Sequence, residues 1–112
     1  MTRVAVIGAG SWGTAVGAIV VQNAPTVLWA REPALARTIN AEHENSTYLA
    51  GITLPAELRA TSELADACAD AYVVVFAVPS HGMLAKFMAG LKKGSGNRAG
   101  APRTLIGMNV VP

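Results

Sequence analysis

One cysteine, Cys68, is all the chain has, so no internal disulfide can form. That usage is compatible with a reducing compartment. Charge is also scarce. Only 14% of the residues are Asp, Glu, Lys or Arg, against about 25% in an ordinary soluble domain. A surface this poor in charge reads as one to be covered, by a second domain or by a partner such as another copy of the chain. The nine basic and seven acidic residues are scattered and leave a net charge of +2. No basic block exceeds Lys92-Lys93, so a nucleic-acid partner is not indicated. No apolar stretch approaches the roughly 20 residues that span a bilayer. Arg3 followed by an apolar run invites comparison with a signal peptide. The glycines and Ser11 inside that run, and the lack of a cleavage pattern, argue against one. The expectation is a cytoplasmic protein without a membrane span. One cysteine and two distant histidines make no metal site. No Ser/His/Asp set can be assembled, and no catalytic residue is assigned.

Against these absences stands one dense stretch, Val4-Ala5-Val6-Ile7-Gly8-Ala9-Gly10-Ser11-Trp12-Gly13-Thr14. Four apolar residues run straight into Gly-x-Gly-x-x-Gly, and a small-residue helical segment follows. Gly8 allows the sharp turn off a buried strand. Gly10 lets a pyrophosphate approach the backbone. Gly13 lets the helix pack close to the strand. The free N–H groups of the helix start then face an anion, helped by the helix dipole. The glycine pattern alone is common. With a strand before it and a helix after it, it is the fingerprint of a dinucleotide fold.

The remaining chain alternates strands with helices. Helices are predicted over about 11–22 and from Pro33 to about His43, the latter with Leu35, Ala36 and Ile39 as its apolar stripe. Strands are predicted over 4–7, 26–30, 58–61, 71–78 and 103–111. Residues 45–55 read as an irregular connection, and a connection of that length is often functional. Ser62 is the expected N-cap of a short helix holding Glu63, Asp66, Cys68 and Asp70. A further helix is predicted over about 81–93, with Leu84, Phe87, Met88 and Leu91 inward. A Gly-rich loop follows from Gly94 to Pro102. With 52% hydrophobic residues in 112, the chain has material for one core. The expected class is α/β, a Rossmann-like, doubly wound, mostly parallel sheet, with residues 1–112 as a single dinucleotide-binding domain.

In such a fold the residue ending the second strand reads the adenosine ribose. Here the slot reads Ala30-Arg31-Glu32. Arg31 can pair with a 2′-phosphate or stack on adenine, which favours NADP. The alternative is a solvated surface arginine. Glu32 can serve a ribose hydroxyl, which leaves NAD open. His81 either lines the nicotinamide side or faces solvent. His43, between Glu42 and Glu44, is expected at the surface, and Cys68 is expected in packing. Trp12 either packs over the cofactor or covers the edge of the core.

Four segments together are far more specific than the glycines: Gly8-Ala9-Gly10-Ser11-Trp12-Gly13-Thr14, Leu28-Trp29-Ala30-Arg31, Tyr48-Leu49-Ala50-Gly51-Ile52-Thr53-Leu54-Pro55 and Ala77-Val78-Pro79-Ser80-His81. In this order and spacing the chain resembles the N-terminal domain of bacterial NAD(P)-dependent glycerol-3-phosphate dehydrogenases, from about Arg3 to Leu91. The resemblance implies reduction of dihydroxyacetone phosphate to sn-glycerol 3-phosphate, feeding glycerophospholipid synthesis. It implies cofactor contacts at Gly8, Gly10, Ser11, Trp12, Gly13, Arg31, Tyr48 and Pro79, with NADP or NAD as cofactor.

Three departures accompany it. Ala50 stands where the family has proline. Ile106-Gly107-Met108-Asn109 stands where the family has Thr-Lys-Gly after the last strand, and no lysine follows Lys93. The sequence also stops at Pro112, where the family continues into a helical domain that supplies the catalytic lysine and the substrate-phosphate site. The expectation is that the 112 residues alone bind a dinucleotide weakly and turn nothing over. Two other readings compete: a non-catalytic nucleotide-binding module or inactive fragment, and a relative of the ketopantoate reductases. The Tyr48–Pro55 stretch argues against the second.

Overall fold

The computed structural model describes residues 3–77 and the backbone of 104–107. Five strands, β1 (Val4–Ile7), β2 (Thr26–Trp29), β3 (Arg59–Thr61), β4 (Val73–Phe76) and β5 (Thr104–Gly107), form one sheet in the order β3-β2-β1-β4-β5. Every pairing is parallel. Among the described residues the helices are α1 (Ser11–Val20), α2 (Pro33–Glu42) and α3 (Leu64–Cys68). The chain winds outward from β1 through β2 to β3, then crosses back over β1 to β4. The reversal leaves a crevice beyond the carboxyl ends of β1 and β4, where doubly wound sheets take their ligands.

Strand alternation sorts the core into two layers. Val4 and Val6 of β1, Leu28 of β2 and Val75 of β4 pack with Leu35, Ala36 and Ile39 of α2, and α1 leans on the same layer. Ala5, Ile7, Trp29, Val74 and Phe76 face the other way, onto Ala67 and Cys68 of α3. All four residues of β1 are buried, so a continuous apolar run there is what a central parallel strand requires. Gly17 explains why α1 tolerates a poor helix former. A Cβ at that position would sit 3.3 Å from a terminal methyl of Leu58, itself fully buried. The small residue brings α1 down onto the sheet.

Several sequence expectations need correction. Ser62 does not cap α3. Its carbonyl accepts the indole N–H of Trp29 at 3.0 Å, and the cap falls on Glu63, without a side-chain bond. Asp70 lies beyond α3, in the left-handed region at φ 58°. His43 is half-buried, not a surface residue. It ends α2 in a left-handed turn at φ 55°, and its Nδ1 is buried without a hydrogen bond among the described residues. The strand expected over 71–78 takes strand form at Val73–Phe76, with the Tyr72 and Ala77 N–H groups still bonded to the Arg3 and Ile7 carbonyls, and Val78 lies outside the described residues. The expected helix over 81–93, the Gly94–Pro102 loop and residues 108–112 lie outside the described residues.

Cys68 is buried as expected, and desolvation pushes its thiol up to about 11, slightly opposed by the Arg3 guanidinium. The thiol of the unfolded chain ionises near 9.0. Above that pH the unfolded state therefore holds fewer protons than the folded one, and stability falls as pH rises toward 11. The urea midpoint of Cys68→Ala is expected to decline less steeply between these pH values than that of the wild type. Parallel curves would remove this role.

Candidate functional site

The site begins where β1 ends. Gly8 leaves the strand at φ 122°, a conformation that side chains rarely adopt. Its N–H donates to the Trp29 carbonyl at 3.1 Å, and the Ala77 N–H donates to the Ile7 carbonyl at 2.9 Å. The turn is thus held by the strands on both sides. Gly10 precedes α1 as its N-cap at φ −74° and ψ −173°. Among the described residues no side chain caps the helix, and its first turn carries no acid. The first internal bond runs from the Thr14 N–H to the Gly10 carbonyl, at 3.0 Å. The N–H groups of Ser11, Trp12 and Gly13 come before it and find no partner within the helix. Ser11 and Trp12 are exposed. A row of donors at the positive end of a helix dipole attracts an anion.

The two remaining glycines of the turn stand there for different reasons. A Cβ on Gly13 would lie 1.8 Å from the Gly8 carbonyl oxygen. The fold itself forbids a side chain there. A Cβ on Gly10 would meet nothing within 4 Å, and its φ suits any residue. Among the described residues the space over Gly10 is open.

A second loop is tied to this turn by one buried side chain. Asn45 and Thr14 are both 0% exposed. The Asn45 amide nitrogen donates to the Ala9 carbonyl and to the Thr14 hydroxyl, each at 2.8 Å. Its amide oxygen accepts the Tyr48 N–H at 3.1 Å. A carbonyl can only accept and a backbone N–H can only donate, so these partners fix which way the amide points. The Asn45 carbonyl also accepts the Leu49 N–H, at 2.8 Å. Tyr48 and Trp12 remain 50% and 48% exposed, large rings left in water beside a tightly built turn.

Sequence reasoning missed Asn45, reading its loop as an irregular connection. Asparagine after a helix end is a turn signal. Its burial against a segment more than thirty residues earlier has no local signature.

Arg31 follows the β2 carboxyl end at the same sheet edge as the glycine turn, since Ile7 pairs in register with Trp29. Its side chain is exposed. Ala30 before it is pinned by an N–H bond to the Thr61 carbonyl at 2.8 Å. Glu32 is the exposed N-cap of α2, with Pro33 at the first helical position. Gly8, Gly10, Ser11, Trp12 and Gly13 therefore share one turn, Arg31 lies at the end of the neighbouring strand, and Tyr48 is linked to the turn through Asn45. Pro79 and His81 lie outside the described residues. Among the described residues no His, Cys, Asp and Glu group could hold a metal ion, and no helix is long and apolar enough to cross a membrane.

The chain resembles known proteins in sequence and in fold. The family model described as "NAD-dependent glycerol-3-phosphate dehydrogenase N-terminus" matches residues 3–101. A glycerol-3-phosphate dehydrogenase [NAD(P)+] 2 of Sphingopyxis alaskensis is 54% identical over 79 residues, which are 70% of this chain and 24% of that protein. A glycerol-3-phosphate dehydrogenase [NAD(P)+] of Xanthomonas oryzae is 54% identical over 80 residues, again covering 70% and 24%. The chain thus spans about a quarter of the length of these curated relatives. The solved glycerol-3-phosphate dehydrogenase of Saccharomyces cerevisiae superposes with a TM-score of 0.78 at 30% identity, over 95% of this chain and 33% of that one.

Proposed function

The chain belongs to the NAD-dependent glycerol-3-phosphate dehydrogenase N-terminal family, and on that premise we propose that it holds NADPH or NADH for the reduction of dihydroxyacetone phosphate to glycerol 3-phosphate. The proposed cofactor contacts are Gly8, Gly10, Ser11, Trp12, Gly13, Arg31, Tyr48 and Pro79. One observation carries the reading. Nothing among the described residues requires glycine at position 10, whose φ is ordinary and whose Cβ would meet open space. A ligand drawn against the backbone does require it. The uncapped, acid-free start of α1 supports a pyrophosphate as that ligand.

A bound nicotinamide supplies the hydride. The chain's own residues bind and orient. The Ser11, Trp12 and Gly13 N–H groups face the phosphates, and the Trp12 and Tyr48 rings, already exposed, cover apolar parts of the nucleotide and shed water. Arg31, beyond β2, pairs with the 2′-phosphate of NADPH. Carbonyl reduction also needs a proton donor for the developing alkoxide. Lys86, Lys92 and Lys93 are the only lysines in the sequence. All lie outside the described residues, and none is assigned that step. We propose that the donor and the substrate-phosphate site come from a helical substrate domain or a partner copy working with residues 1–112, in the cytoplasm and in the service of glycerophospholipid synthesis.

Titration of NADPH and NADH against the 112-residue chain, followed by quenching of Trp12 fluorescence, tests the reading. Saturable quenching is expected with both. Arg31→Ala is expected to weaken NADPH about tenfold, the low end for a charge-assisted bond because the site is exposed, and to leave NADH within about twofold. Equal effects on both cofactors would reduce Arg31 to a surface residue. No binding of either would overturn the proposal.

A further inference from the structure

We infer that Asn45 is a positioning residue for the dinucleotide: its one buried amide aims the Gly10 N–H at the phosphates and sets the Tyr48 loop beside them. The inference rests on the cofactor site just proposed. The argument starts from the Ala9 carbonyl, which accepts from the Asn45 amide at 2.8 Å in a fully buried spot. No peptide bond among the described residues is cis. In a trans peptide the C=O and the following N–H point in opposite directions. Holding the Ala9 carbonyl toward the buried Asn45 amide therefore turns the Gly10 N–H the opposite way, outward. Among the described residues that N–H has no acceptor.

The same amide nitrogen grips the Thr14 hydroxyl at 2.8 Å, one turn into α1. It thereby anchors the helix start whose N–H groups complete the anion site. On its other side the amide oxygen takes the Tyr48 N–H at 3.1 Å. The two segments that flank the proposed nucleotide, the glycine turn and the Tyr48 loop, are thus fixed to each other through three bonds on one side chain. Ligand binding then need not spend free energy on ordering them separately.

A buried asparagine can also serve stability alone, and the molecule supplies its own comparison. Asn40 is likewise paired through both amide atoms, donating to the Ala60 carbonyl and accepting the Ala60 N–H, each at 2.8 Å. It ties α2 to the edge strand β3, and neither of these bonds reaches the glycine turn or the Tyr48 loop.

The test measures NADPH and NADH dissociation constants for the 112-residue wild type, Asn45→Ala and Asn40→Ala. Fluorescence titration is done at a temperature where circular dichroism shows all three folded. Both variants are expected to melt earlier. Only Asn45→Ala is expected to lose affinity, about tenfold, as for one lost bond to a charged ligand. A loss below about threefold, or an equal loss in Asn40→Ala, overturns the inference. Should Asn45→Ala not fold, amide NMR of the wild type decides. On NADPH addition the Gly10 N–H is expected to shift downfield and exchange more slowly. If it does neither while the Trp12 and Gly13 amides respond, the inference falls. A wild type that binds neither cofactor would overturn the cofactor site itself, whereas a binding wild type with an unaffected Asn45→Ala would overturn only the role of Asn45.

Discussion

Gly13→Ala is expected to lower the melting temperature of the chain by about 10 °C or more, a loss of about 2 kcal/mol or more. A Cβ at position 13 would lie 1.8 Å from the Gly8 carbonyl oxygen, 3.0 Å from its carbon and 3.1 Å from the Ala77 Cβ. The first two neighbours are backbone and cannot rotate away. Gly8 is held by its N–H bond to the Trp29 carbonyl, and Ala77 by its bond to the Ile7 carbonyl. To relieve the overlap, α1 must lift from β1 or the β1–β2 connection must loosen. Overpacking of this kind costs about 3 kcal/mol or more at the unyielding end of its range. Alanine returns about 1 kcal/mol of helix propensity over glycine, so the penalty wins. Thermal melts followed by circular dichroism check this. A melting temperature within a few degrees of wild type would mean that helix and strand do not approach as closely as the structure has them.

The glycine turn shows how far a sequence carries and where it stops. The strand, the turn and the helix were all legible in Val4–Thr14, because an apolar run, a glycine pattern and a small-residue segment each have local signatures. The α/β class and parallel sheet followed from alternation along the chain. The pattern alone points to close packing at Gly13, and the overlap of a Cβ there with Gly8 gives that role its physical content. Other features had no local trace. Ser62 looked like a cap because serine often is one, yet a long-range bond from Trp29 takes its carbonyl and the cap passes to Glu63. His43 sits between two glutamates in the sequence, yet it is half-buried at the left-handed end of α2, with its Nδ1 out of reach of water. Asn45 looked like one more polar loop residue. Its weight comes from partners at Ala9 and Thr14, and only the folded chain brings them together. Arg31 is pointed to by its place after a strand, Tyr48 by family resemblance. Register puts Arg31 on the edge that carries the turn, and the Asn45 amide ties the Tyr48 backbone to it.

Gly10→Ala should behave in the opposite way to Gly13→Ala, losing cofactor while keeping the fold. The backbone at Gly10 has φ −74°, which alanine adopts freely, and the new methyl group would meet no atom of the described residues within 4 Å. Two small effects on stability nearly cancel. Alanine is a poorer N-cap than glycine by about 0.5–1 kcal/mol. It also restricts the unfolded chain, which returns about 0.4–1 kcal/mol. The melting temperature is therefore expected to stay within a few degrees of wild type. The methyl group does, however, project into the space assigned to the pyrophosphate. It would hold the phosphates off the Ser11, Trp12 and Gly13 N–H groups. Each hydrogen bond to a charged group is worth about 1.5–3 kcal/mol, so loosening even one weakens both NADPH and NADH about tenfold to a hundredfold. The two cofactors should suffer alike, because they share the pyrophosphate and differ only at the 2′ position that Arg31 is proposed to read. Fluorescence titration beside thermal melts separates the cases. Unchanged affinity in a folded Gly10→Ala chain would mean that the open space over Gly10 is not where the phosphates lie. Unfolding of that variant would mean that the protein itself needs the glycine, which would remove the observation on which the proposed cofactor site chiefly rests.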